Sequence, residues 1–269
     1  MPETEHRYSF GRRFGVTLVA GIPGIVALVG YIFLTTPPSA VPAGLTLPLF
    51  AVVSGINPLA LLAVACLVGV YATPRTGLRS YLIDRVSTGE RIGPRLRTEA
   101  GFAIGVGLLG SIVVLGLDVL LAPFVGVDLP ASVVGEARQG VFEVLAFAPV
   151  RFLYGGITEE LLLRFGLMSA IALVGWYVTG RPSGGPGAGV MWAAIVVSAV
   201  LFGVGHLPAL VQSIGLTPAL IARTVLLNAI AGVLLGWLYW RRSLEAAMIA
   251  HAAFHVPIVA LSLVQVGLL

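Results

Sequence analysis

Thr158-Glu159-Glu160-Leu161-Leu162-Leu163-Arg164 places two carboxylates and a guanidinium inside an apolar run. From Val141 to Val178 the only other charges are Glu143 and Arg151, both in the first third. A charged group at bilayer depth costs about 2.5–3.5 kcal/mol on insertion scales, so such groups are rare there unless they work. On a helix, Glu160 and Arg164 are four apart and share a face, with the acid on the favourable N-terminal side. That spacing predicts a neutralised structural pair. Glu159 points about 100° away from Glu160. Arg151, eight residues earlier, lies about 12 Å off along a straight helix, too far to pair. Glu159 is therefore the carboxylate left for chemistry.

Two later stretches add imidazoles. Phe202-Gly203-Val204-Gly205-His206 sets an aromatic ring and an imidazole four apart, with two glycines between them that leave room for another helix or a substrate backbone. His251-Ala252-Ala253-Phe254-His255 sets two imidazoles on one face at the same spacing. One membrane histidine is most often a hydrogen-bonded packing residue. A free carboxylate with three histidines on three separate helices is hard to explain by packing alone. Water is a poor nucleophile and needs a base, which a carboxylate or an imidazole supplies. The same residues could instead hold zinc. His251 and His255 have a zinc-binding spacing, and His206 or Glu159 would complete three protein ligands with water in the fourth position. The run lacks the glutamate that His-Glu-x-x-His enzymes carry between their histidines.

These motifs need helices to hold them in a membrane. Of 269 residues, 58% are hydrophobic and 10% charged, against about 25% charged in a soluble domain. The expected fold is all-α, a polytopic transmembrane bundle of seven to eight helices forming one membrane domain over 1–269. The 34 glycines suit close helix approach. All sixteen basic residues are arginine, and with the Ala, Gly and Val excess this reads as a GC-rich, prokaryotic source. A net charge of +4 does not indicate nucleic acid, because the arginines gather in short loops as topology signals and anionic-lipid contacts. Cys66 is alone, so no disulfide or cysteine metal site forms within the chain.

Spans are expected at Phe14–Leu34, at Leu47–Tyr71 (bent by Pro48 and Pro58), at Gly101–Phe124, Val190–Leu207, Pro218–Trp240 and Leu244–Leu269. Val141–Val178 is too long for one straight crossing of a core of about 30 Å, and Gly155-Gly156 is the natural place for a kink. Pro74–Glu99, with six arginines, reads as a solvated loop in preference to one whose Tyr81-Leu82-Ile83 dips into the interface, Val127–Gly140 as an external loop, and Pro208–Thr217 as an uncharged turn. Asp118 is expected to reach headgroups. Counting Val141–Val178 as one crossing puts the N-terminus, the arginine-rich loop, Arg181 and Arg241-Arg242 on one side. By the positive-inside rule that side is the cytoplasm, which favours seven crossings of the cell membrane.

Taken in order, Glu159-Glu160-Leu161-Leu162-Leu163-Arg164, Phe202-Gly203-Val204-Gly205-His206 and His251-Ala252-Ala253-Phe254-His255 resemble the motifs of the CAAX-protease and bacteriocin-processing family. These intramembrane proteases are related to the type II CAAX prenyl endopeptidase. The resemblance covers 141–269; the helices of 1–140 carry no motif. It departs at His255, where the family usually has Asn. The resemblance implies hydrolysis of a peptide bond in or near the bilayer, with a peptide or membrane protein as substrate and no cofactor required. Glu159 and His206 would activate water, and His251 with His255 would donate to the tetrahedral oxyanion. Glu160, Arg164 and Phe202 would be structural support. The zinc-dependent version uses His206, His251, His255 and Glu159. Two rivals belong to other classes. One is a proton-coupled transporter lined also by Arg223 and Asn228. The other is a non-catalytic immunity or binding protein on the same scaffold. No prenyl-binding signature is readable, and the oligomeric state leaves no mark on the sequence.

Overall fold

The computed structural model describes residues 2–125, 140–208 and 217–268, with side chains over 10–124, 140–208 and 217–267. The regular structure of the described residues is all helical, without strands. The helices are α1 (Pro2–Thr35), α2 (Leu47–Ser54), α3 (Ile56–Thr76), α4 (Tyr81–Thr88), α5 (Ile92–Val125), α6 (Val141–Val178), α7 (Ala188–Gly205), α8 (Pro218–Arg241) and α9 (Leu244–Leu268). Among the described residues there are seven candidate spans, with α2 and α3 sharing one and α4 too short to cross. The chain is an integral membrane protein. The loop read at 127–140 and the turn read at 208–217 lie, but for their end residues, outside the described residues.

The second span is interrupted at Gly55, in the turn that precedes Pro58. Pro58 lacks the N–H that would bond back to Ser54, so the helix can restart there without losing a bond. Gly55 also packs on α1, where an added Cβ would lie 2.7 Å from Val29 Cγ2.

The helix does not break at Gly155-Gly156. α6 runs unbroken through 38 residues, because its middle is wound more widely. Val150–Glu159 and Leu161–Met168 have π-helical i→i+5 geometry, flanked by α-helical Val141–Pro149 and Ser169–Val178. Pro149 stands at the changeover, where its ring crowds the carbonyl four residues back and the regular ladder must loosen. Wide turns of this kind often mark functional segments. The two glycines serve contact instead, and a Cβ on Gly156 would lie 3.0 Å from that of Ala252 on α9.

Around α6 the core closes. Leu161, Phe165 and Met168 are fully buried at helical spacing, in one cluster with Leu62 and Cys66 of α3, Met191 and Ile195 of α7, and Leu235 and Leu238 of α8. The Tyr239 hydroxyl is shared by Thr73 at 3.2 Å and Ser169 at 3.1 Å, which ties α3, α6 and α8 together. α1 packs on the π-helical stretch. Thr158 Oγ1 donates to Gly21 O at 2.8 Å, and a Cβ on Gly24 would meet the backbone of Leu153 and Tyr154 at 2.7 Å. The first helix thus braces the residue just before Glu159.

Two sequence expectations change at the ends of the bundle. Asp118 does not reach headgroups. It is buried and forms an ion pair with Arg223, joining α5 to α8. A buried charge needs a partner, and the facing helix supplies it. The stretch 74–99 is not a solvated loop, since it contains α4 with Tyr81 and Ile83 buried. Glu245 fixes it there, accepting from Ser80 Oγ at 2.8 Å, Tyr81 N at 2.9 Å and Leu82 N at 3.0 Å. A carboxylate at a helix N-terminus satisfies the orphan amides and suits the dipole.

Candidate active site

The site is built by α6, α7 and α9. Glu160 and Arg164 pair as their spacing predicts, with Nη1 3.0 Å from Oε1 and both side chains at most 1% exposed. Arg164 also donates through Nη2 to Gly232 O at 3.1 Å, and its guanidinium lies 4.9 Å over the Phe202 ring. Gly203 makes that approach possible, since a Cβ there would lie 2.6 Å from Val225 O on α8. Arg164 is thereby held by three helices.

Glu160 does more than neutralise Arg164. Its Oε1 accepts from His251 Nδ1 at 2.7 Å. A carboxylate only accepts, so this contact puts the proton of the neutral ring on Nδ1 and leaves Nε2 bare. His251 Nε2 in turn lies 4.0 Å from Glu159 Oε2, and Glu159 keeps 22% of its side chain exposed. Among the described residues no hydrogen bond engages Glu159. The two adjacent carboxylates thus have opposite fates, one locked between a guanidinium and an imidazole and one open.

His206 ends α7 as its C-cap residue. Its Nδ1 donates to Phe202 O at 2.8 Å, which again leaves Nε2 as the acceptor. Phe202 stands edge-on to both His206 and His251, with ring centroids 4.6 and 5.9 Å apart. It is the shared wall between imidazoles that lie 45 residues apart in sequence. His251 and His255 stack with centroids 5.0 Å apart. His255 Nδ1 is buried without a hydrogen-bond partner.

Gly155 has a role at the site beyond its place in the π-helical stretch. A Cβ on it would lie 2.8 Å from His255 Nε2 and 3.8 Å from His251 Nε2. Both nitrogens therefore face the space that a side chain at 155 would fill. Gly155→Ala should fold, because the crowded atom is the movable end of a side chain. It should displace His255 and lower turnover about 10²-fold, the usual effect of misplacing a reacting group by about 1 Å. Peptide cleavage measured beside thermal unfolding checks this. Full activity in the variant would show that the space over Gly155 is not used.

The structure brings Glu159, His206, His251 and His255 to one region, with Glu160, Arg164 and Phe202 behind them. Among the described residues no three His, Cys, Asp or Glu side chains gather closely enough to hold a metal ion, so the zinc-dependent alternative gains no support from this geometry. The polar lining expected of a transporter is occupied elsewhere. Arg223 pairs with Asp118, and Asn228 donates to Thr224 O at 2.8 Å within its own helix.

No curated protein and no solved structure matches the chain. A family model does, that of the type II CAAX prenyl endopeptidase Rce1-like proteins, over residues 141–256. That stretch begins with α6, the helix that carries the two glutamates, and ends just past His255, so it takes in the whole candidate site. Over these residues the chain is similar to the Rce1-like family of type II CAAX prenyl endopeptidases.

Proposed function

We propose that the protein is an intramembrane endopeptidase that hydrolyses a peptide bond of a membrane-embedded or membrane-anchored substrate, with no metal required. The observation that carries this is the open carboxylate of Glu159, 4.0 Å from an imidazole nitrogen that its neighbour Glu160 holds in place. Similarity to that family over 141–256 supports proteolysis in general. Glu159 is the general base, taking a proton from water as the oxygen attacks the scissile carbonyl. His206 Nε2, bare in the neutral ring, accepts a hydrogen bond from the other O–H of that water and holds it in line. His255 donates to the oxyanion, where one preorganised donor is worth about 2.7–4 kcal/mol of barrier. His251 can donate from Nε2 only as the imidazolium.

We place the protein in a prokaryotic cell membrane with its N-terminus in the cytoplasm. Arg75, Arg181, Arg241 and Arg242 each stack on an aromatic ring, and basic and aromatic residues together mark the cytoplasmic interface.

The test is proteoliposome assay of a library of membrane-anchored peptides, read by mass spectrometry of new termini. Wild type should generate them with or without a chelator. His255 refines the test. Asn presents an N–H at similar reach, so His255→Asn should stay largely active, whereas His255→Ala should lose about 10²–10³-fold. A His255→Asn protein that is inactive and has also lost bound zinc would favour the metal-dependent mechanism, since an amide is a far poorer zinc ligand than imidazole.

A further inference from the structure

The neutral His251 ring carries one proton, and Glu160 holds it on Nδ1 at 2.7 Å. Nε2, the nitrogen that faces Glu159 and the space over Gly155, is therefore a lone pair. An oxyanion hole works by donors already in position before reaction, and this nitrogen offers none. A carboxylate behind an imidazole does something else. It fixes the tautomer and stabilises the imidazolium that forms once the far nitrogen takes a proton. Here the carboxylate is itself fixed, by Arg164 at 3.0 Å and through it by the Gly232 carbonyl on α8. All three side chains are 4% exposed or less. The bond from His251 to Glu160 spans α9 and α6, so it is not a by-product of local helix geometry.

Building on the peptidase reading, we propose that His251 is the general acid that protonates the leaving amine, with Glu160 and Arg164 as its positioning residues. Glu159 takes a proton from water while the hydroxyl oxygen bonds to the scissile carbonyl carbon, giving a tetrahedral oxyanion. The 4.0 Å from Glu159 to His251 Nε2 is a gap that one water molecule can bridge, and the proton passes across it. The imidazolium so formed is paired with Glu160. The oxyanion then collapses, the carbon–nitrogen bond breaks with its electron pair going to nitrogen, and Nε2–H delivers the proton to that nitrogen. One hydrogen of water ends on the new carboxyl group and the other on the amine. Glu159 returns to the carboxylate and His251 to the neutral ring. The Glu159–Glu160 sequence thus supplies a base for the attacking water and an anchor for the acid that releases the product.

Two measurements test this. The first needs no substrate. In 15N-histidine-labelled wild type in micelles, with His251 assigned from the spectrum of His251→Asn, Nδ1 should be protonated and Nε2 should show the shift of a bare nitrogen. In Glu160→Ala the two tautomers should mix. A wild-type ring protonated at Nε2 and bare at Nδ1 would overturn the proposal, whatever the variants do. The second uses a fluorogenic membrane-anchored peptide that wild type cleaves, and the same peptide with a thioester at the scissile bond. A thiolate leaves without a proton. His251→Asn should lose about 10²–10⁴-fold on the amide and at least about tenfold less on the thioester, with Glu160→Gln following the same pattern. Glu159→Gln should lose both reactions, because both need the attacking water. Equal losses on the two substrates in His251→Asn would make His251 an oxyanion donor and refute the acid role. Failure of wild type to cleave any peptide would defeat the peptidase reading itself, an outcome distinct from equal losses.

Discussion

Glu159→Gln is expected to leave an inserted, folded protein whose peptide turnover is lower by about 10²–10⁴-fold, the usual contribution of a general base. Gln keeps the shape and polarity of the side chain and loses only the ability to take a proton from water. Little stability should go with it. Glu159 is partly exposed and engages no hydrogen bond among the described residues, so no buried partner is stranded by the change. Two measurements separate the outcomes: cleavage in proteoliposomes, and thermal unfolding of the same preparation in detergent. A non-catalytic scaffold would keep its binding function with Gln at this position. Retained peptidase activity would take the base role from Glu159. Glu160 is poorly placed to inherit it, being fully buried between Arg164 and His251.

Features that repeat along one helix were legible in the sequence. The Glu160–Arg164 pair follows from a spacing of four, and it forms even though the helix around it widens. The seven spans follow from apolar length, and the facing imidazoles of His251 and His255 from the same spacing of four. Features that depend on what one helix presents to another were not legible. Nothing in the spacing of Glu160 or His251 announces that they bond across α6 and α9. Asp118 and Arg223 each look like isolated charges near a span end until α5 and α8 are set side by side. Gly155-Gly156 carries a signal with more than one reading. Two glycines in an apolar helix can mean a kink or a close approach, and composition does not distinguish them. Pro149 was the better marker of irregular winding, because it removes a backbone donor whatever packs beside it. Ser243 and Glu245, at the head of α9, carried a readable helix-start signal. What that signal could not convey is that Ser243 caps α9 while Glu245 caps α4.

Arg164→Ala is expected to harm the fold more than any other single change in the site. Breaking a buried ion pair from one side costs about 3–5 kcal/mol, because the remaining charge stays buried without compensation. Glu160 is especially vulnerable to that cost. Its Oε2 already lacks a hydrogen-bond partner, so without Arg164 its charge rests on the single bond from His251 Nδ1. The Gly232 carbonyl on α8 loses its donor and the Phe202 ring its cation in the same change. The double variant Glu160→Gln with Arg164→Gln should regain much of the stability, since it removes both charges and keeps polar groups of similar size. It should not regain activity. The amide oxygen introduced by Glu160→Gln can still accept from His251 Nδ1, which preserves the tautomer, but a neutral amide does not stabilise an imidazolium as a carboxylate does. Denaturant unfolding of wild type, single and double variants in one detergent, beside their amide cleavage rates, separates the two effects. A double variant as unstable as the single would mean that Arg164 acts through shape rather than charge. One that was stable and fully active would mean that the charge on Glu160 serves the fold alone.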